Sequence, residues 1–334
     1  MGDDGDQTEQ AARALAGSDV AAELAAPPRL HVALLVVQLL FSGLHVVGKD
    51  VLGEVEPLAL ACLRAGFAAP ALVLFALWKR CPLPRLHDLP VLALLGLLGV
   101  AANQVLFIQG LAYTTATNAA ILMPSIPVFA AGLGAVFGIE RIGPRRLAGI
   151  GLAVAGALAV LDPTAFSLSN EQTLGNLLIL VNCLAFAGFL VLQRPVMRRL
   201  PWPTVIAGSF VFGALFVFAV GAPTLAATDF AALSGGTLAG LAYILVFPTL
   251  IGYALNTWAV RRSSPTLVAA YTTIQPLASA LLAAAFLGER FGWKEGIGFV
   301  LIAAGLWVVS RRQAVRMRET MARGGVSDGP IGIE

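Results

Sequence analysis

The chain runs to 334 residues, of which 58% are apolar and only 12% charged, with a mean hydropathy of +0.83 and a formal charge of +3. Soluble domains carry roughly 25% charged residues, so a water-soluble enzyme of this length is excluded because it could not cover so much hydrocarbon. The small, scattered positive charge argues against nucleic-acid binding, and Cys62, Cys81 and Cys183 lack metal-ligand spacing, so no metal site, cofactor or disulfide framework is readable.

The first segment, residues 1–29, is Ala-rich and acidic through Asp3, Asp4, Asp6, Glu9, Asp19 and Glu23. It has neither the basic start and apolar core of a secretory signal nor the acid-poor composition of a transit peptide, and is expected to be a disordered, solvated tail. Ten apolar runs follow, each near the length needed to cross a bilayer as a helix. They lie near Leu30–Gly48, Pro57–Trp78, Leu89–Tyr113, Thr115–Phe137, Leu147–Leu161, Leu174–Leu192, Thr204–Ala222, Leu238–Val260, Thr266–Leu287 and Gly296–Ser310. The runs are continuous rather than alternating, which excludes a β-barrel. The expected fold is therefore an all-α integral membrane protein with ten transmembrane helices. Residues 30–162 and 174–310 form its two halves, 163–173 the connection and 311–334 a basic, mostly disordered tail.

Basic residues set the orientation. With both ends in the cytoplasm, eighteen Lys and Arg residues fall in inside segments and three (Lys49, Arg290, Lys294) outside; Arg64 lies within the second span. An odd number of passes would spoil this split. The expected location is a plasma (cell inner) membrane.

The chain also repeats itself. A shift of 149 residues places Pro127 on Pro276, Glu140-Arg141 on Glu289-Arg290, and Gly143, Gly149 and Gly156 on Gly292, Gly298 and Gly305. A looser shift of 145 pairs Phe41 with Phe186, Gly43 with Gly188 and Lys49 with Arg194. Five helices per half make the second copy enter from the opposite side, so the repeats are inverted, an architecture typical of secondary transporters. A duplicated membrane scaffold or partner-binding protein that moves nothing is the alternative; a polar cavity separates the two, since a scaffold has no need of one.

The run Gly110-Leu111-Ala112-Tyr113-Thr114-Thr115-Ala116-Thr117-Asn118-Ala119-Ala120, then Pro127 and Glu140-Arg141, resembles the EamA domain of the drug/metabolite transporter superfamily. Gln275-Pro276 and Gly288-Glu289-Arg290 resemble a second copy, and the likeness covers about residues 32–310. Phe41, Gly43, Lys49 and Arg64 fill the family's opening pattern, with Phe41 in place of the more usual Trp and His45 where Asn is common. Ala102-Asn103-Gln104 resembles the plant nodulin-like branch. The resemblance implies a ten-helix exporter or facilitator of small metabolites.

Polar residues inside a membrane are costly and so mark candidate sites. Gln38, Ser42 and His45 share a face of the first span, Asn182 and Gln193 one of the sixth with Phe186 and Phe189, Tyr253 and Asn256 one of the eighth, and Tyr271 and Gln275 one of the ninth. The third carries Asn103, Gln104 and Gln109. Arg64 lies about 10 Å into its helix at 1.5 Å per residue. It is read either as an anion-binding group or as a residue that snorkels or braces helix ends. His45 is read as a helix-to-helix hydrogen bond or as the group that contacts substrate or proton. Every acidic residue falls in a tail, a loop or a helix end, so a carboxylate-based proton pump is not expected. Pro124, Pro127, Pro248 and Pro276 are expected to interrupt helices. Gly43–Lys49 fits the letters of a phosphate-binding loop, but Asp50 follows where Ser or Thr should stand and the segment ends a span, so the match is accidental and no enzyme is indicated. The expected substrate-binding residues are His45, Arg64, Asn103, Gln104, Tyr253, Asn256, Tyr271 and Gln275. Arg64 and His45 would hold an anionic group, the amides would bond polar atoms and the tyrosines would stack. An amino acid or an aromatic or amphipathic organic acid is the expected cargo, moved by alternating access with no cofactor.

Overall fold

The structure is a computed structural model that describes residues 28–137, 148–149, 151–152, 155–156, 170–263, 268–269, 271–288, 292–293 and 296–305. The described residues form helices and their connections, with no strand among them. Among the described residues, seven helices are long and apolar enough to cross a membrane: α1 (Pro28–Val51), α2 (Pro57–Trp78), α3 (Leu86–Tyr113), α4 (Ala116–Gly134), α5 (Glu171–Val196), α6 (Trp202–Ala226) and α7 (Gly235–Arg262). A 3-10 turn at Tyr271–Ile274 leads into α8 (Gln275–Phe286), and the shorter α9 (Gly296–Gly305) follows. The fifth expected span lies mostly outside the described residues, as do both tails, Glu140, Glu289 and Arg290.

Helix starts follow local chemistry. Pro57 opens α2, and Pro203 sits in the first turn of α6, where a proline's missing N–H costs nothing. Thr115, Asn170 and Ser234 cap α4, α5 and α7 by accepting from the backbone N–H of Asn118, Gln172 and Thr237. The sixth span begins at Glu171, three residues ahead of the apolar run, because this cap rather than hydropathy sets its start.

Other boundaries depart from the sequence reading for tertiary reasons. Lys49 is not an outer-loop residue. It lies in the last turn of α1, and its ammonium donates to the carbonyls of Leu111, Ala112 and Thr114 at 2.9, 3.0 and 2.6 Å. These are orphan acceptors at the end of α3, so the cation caps a neighbouring helix. Pro276 occupies the first turn of α8 rather than interrupting a continuous helix.

Close approach holds the bundle together where lipid supplies no hydrophobic drive between helices. On α3 and α5, Gly110 and Gly175 face each other: a Cβ on Gly110 would stand 2.9 Å from the Gly175 carbonyl oxygen, and one on Gly175 2.8 Å from that of Gly110. Helix α2 packs closely along α6, where the Cys62 Sγ lies 3.7 Å from the Val217 carbonyl and a Cβ on Gly66 would stand 2.9 Å from the Phe218 ring.

Both α3 and α7 widen to π-helix near the middle, over Leu97–Ala102 and Leu245–Gly252. The repeat offset of 149 carries the first segment onto 246–251, inside the second. In α7 the cause is local: Pro248 has no N–H to give, and its ring crowds the preceding turn. In α3 the Phe189 ring presses on Gly99, where a Cβ would meet it at 2.3 Å. Each π segment is followed at once by a polar residue that faces the bundle interior, Asn103 in α3 and Tyr253 in α7.

Candidate binding cavity

Those two residues meet. The Tyr253 hydroxyl donates to Asn103 Oδ1, and Asn103 Nδ2 donates to Asn182 Oδ1 on α5 at 2.6 Å, so one hydrogen-bonded chain ties α7, α3 and α5. Around it lies a cavity of about 50 Å³. Its polar lining comes from six helices and one turn: Gln38 and His45 of α1, Arg64 of α2, Asn103 of α3, Asn182 of α5, Tyr253 and Asn256 of α7, Thr272 of the 3-10 turn, and Gln275 of α8. Phe41, Leu44, Phe107, Met123, Ile126 and Phe186 supply the apolar lining. The Phe41, Phe186 and Phe210 rings meet Tyr253 edge to face, with centroids 6.0, 6.3 and 5.0 Å away, and fix its position.

Arg64 is 2% exposed and does not snorkel. Its Nε donates to Thr249 Oγ1 at 2.9 Å, within the π segment of α7, while Nη1 is buried with no hydrogen-bond partner among the described residues. No carboxylate lines the cavity among the described residues. His45 stands edge-to-face on Phe107 at 5.3 Å, and its Nδ1 lies 2.7 Å from the Phe41 carbonyl, a contact that fixes the proton on Nδ1. Gln275 Nε2 donates to Gln38 Oε1 at 2.5 Å, which leaves Gln38 Nε2 and Gln275 Oε1 buried and unmatched among the described residues; Asn256 Oδ1 is likewise unmatched among them. Turning both glutamine amides over preserves the result, with one NH₂ edge and one carbonyl still unused. A buried polar group without a partner costs about 1–3 kcal/mol, so a cluster of four in one cavity is a strong pointer to a ligand.

Six of the eight residues expected from sequence thus share this cavity: His45, Arg64, Asn103, Tyr253, Asn256 and Gln275. Gln104 does not line it. Its side chain is fully buried, with both amide atoms unmatched among the described residues. Tyr271 also lies off the lining, and its hydroxyl is 2.6 Å from His31 Nδ1 near the start of α1. Gln38 and Asn182 were missing from the expected set. Spacing marks both faces, Gln38 with His45 and Asn182 with Phe186, but it does not say which positions on a polar face meet a cavity.

At about 50 Å³ the cavity is a third of the roughly 150 Å³ that holds a benzene ring. A molecule of that size would fit here only if the surrounding helices parted.

The sequence pattern of the EamA-like transporter family matches residues 29–161 and 173–311. An uncharacterized transporter of Archaeoglobus fulgidus is 29% identical over 85% of this chain and 98% of its own length. The protein WALLS ARE THIN 1 of Arabidopsis thaliana is 29% identical over 84% of this chain and 82% of its own. A probable terminal-alkyne amino-acid exporter of Streptantibioticus cattleyicolor is 29% identical over 83% and 91%. One solved structure superposes with a TM-score of 0.60 at 19% identity, over 86% of this chain and 98% of its own, and so shares the fold.

Proposed function

From the premise that this chain belongs to the EamA-like transporter family, we propose that it is a secondary transporter, an exporter or facilitator, of a small amphipathic carboxylate, with an α-amino acid bearing an apolar or aromatic side chain the best fit. The observation that carries this reading is the set of unmatched polar atoms in the cavity: two donors, Arg64 Nη1 and Gln38 Nε2, and two acceptors, Gln275 Oε1 and Asn256 Oδ1. A carboxylate takes the donors and an ammonium takes the acceptors. The phenylalanine rings at Phe41, Phe107 and Phe186 receive an apolar group beside them. The amino-acid exporter among the relatives supports the same choice at low identity. Metal ions and cofactors have no part in this reading.

The transport mechanism is alternating access between two inverted five-helix repeats, ten spans in all, with both termini in the cytoplasm. Support comes from the 149-residue repeat and from the paired π segments at matching places in α3 and α7. A π turn interrupts the regular hydrogen-bond ladder, which makes it a natural place for a helix to bend. The contracted cavity fits an occluded stage between the two open ones. His45 is the titratable group placed for proton coupling, if a gradient drives the cycle.

Uptake of labelled phenylalanine, leucine and phenylacetate into proteoliposomes, with and without an imposed pH gradient, tests this. Saturable uptake of at least one, absent from liposomes holding a Tyr253→Phe/Asn103→Leu variant that still melts cooperatively, is expected. Wild-type protein that is folded and moves none of them, nor any of a wider amino-acid panel, overturns the assignment.

A further inference from the structure

A second cavity, of about 210 Å³, opens where α5 and α7 end, lined by Arg194, Met197, Arg198, Val260 and Arg261. Its floor is apolar, with Met197 3% and Val260 0% exposed, so charges above it act across a low-dielectric surface. Two helix C-termini meet here, and each carries about half a negative charge. Arg198 and Arg261 alone bring two positive charges, roughly one more than those ends can balance. Arg262 lies with its guanidinium 4.4 Å from the Trp258 ring centroid, and Arg29 and Arg261 both stand close enough to repel it. No carboxylate lines this cavity among the described residues; Asp88, at the same end of the bundle, lies beside Arg199 instead, at 3.4 Å. Among the described residues, the excess carried by Arg198 and Arg261 is therefore a local positive field.

We propose that this cavity is an anion site that takes a phosphate-type oxyanion, held between Arg198 and Arg261 with Arg194 beside them. Two helices deliver the planar donor forks to one apolar floor, and tetrahedral oxygens can accept from both at once. Either the headgroup of an anionic lipid or free phosphate brings the same oxygens. The site stands apart from the central cavity and shares no lining residue with it.

Full-length protein in phosphatidylcholine nanodiscs is titrated with radiolabelled inorganic phosphate. In a second arm, phosphatidylglycerol is mixed into the nanodiscs and the lipid retained through purification is counted by native mass spectrometry. Wild type is compared with Arg198→Gln/Arg261→Gln and with Lys79→Gln/Arg85→Gln, which removes as many charges elsewhere. The first pair is exposed and should fold; each single change serves if the double does not. Phosphate binding that weakens at least tenfold in the cavity variant alone supports the site with a free anion as its ligand. Selective loss of retained phosphatidylglycerol, without phosphate binding, supports it with a headgroup as its ligand. No binding in either arm, or equal losses in both double variants, overturns it.

Discussion

Replacing Arg64 by Gln should move ligand affinity and ligand-free stability in opposite directions. In the ligand-free structure the guanidinium is 2% exposed, makes one bond to Thr249 and lacks a counter-charge among the described residues lining the cavity. Holding such an ion out of water costs several kcal/mol, whereas a hydrogen bond to a charged group returns about 1.5–3 kcal/mol. Glutamine removes both contributions, so the ligand-free melting midpoint should stay level or rise. A bound carboxylate changes the sign. Truncating one partner of a buried charge pair costs about 2–5 kcal/mol, which at 1.4 kcal/mol per decade is roughly 30- to 4,000-fold in affinity. Thermal melts of wild type and Arg64→Gln, with phenylalanine, phenylacetate and the neutral phenylacetamide, read both quantities. Wild type should be stabilised by the acids and not by the amide, and the variant should lose that preference. An Arg64→Gln protein that melts well below wild type yet binds the acids unchanged would show that the arginine braces α2 against α7 and would refute the carboxylate assignment.

Other substitutions test the frame that holds the cavity. Gly110→Ala should destabilise by about 1–3 kcal/mol, because the new Cβ stands 2.9 Å from the Gly175 carbonyl and from Ile179, and the α3–α5 contact must open; a denaturation midpoint checks this. Lys49→Met should cost about 1.5–3 kcal/mol by uncapping α3, and hydrogen exchange should show faster exchange near Tyr113 and Thr114 than at the centre of the helix. Glu54 accepts from the Ser234 backbone N–H at 2.8 Å, and that bond holds its carboxyl below the usual value of 4.5. A depressed folded-state value means the tie is fully present above pH 4.5 and is lost as pH falls through the lowered value. The protection of the Ser234 amide, taken relative to its intrinsic exchange rate at each pH, should therefore fall in that range, and Glu54→Gln should abolish the pH step.

The seven long spans and the all-helical membrane class were legible in the sequence because bilayer thickness fixes the length of an apolar helix, a constraint local to each run. Polar positions such as Arg64, Asn103, Tyr253, Asn256 and Gln275 stood out for a similar reason, since burying any of them in hydrocarbon needs a compensating partner. Which of them converge was decided only in three dimensions. Tyr271 and Gln275 share a face by spacing, yet Gln275 reaches the cavity while Tyr271 meets His31, because the turn at Tyr271–Ile274 is 3-10 and not α. Gln104 follows Asn103 directly but points elsewhere, since neighbours on a helix lie about 100° apart. Lys49 reads as an outer-loop charge until the end of α3 is placed beside it. Periodicity reports what one helix presents; the phase and separation of its neighbours, set here by Gly110 against Gly175 and by the π segments of α3 and α7, determine what that face meets.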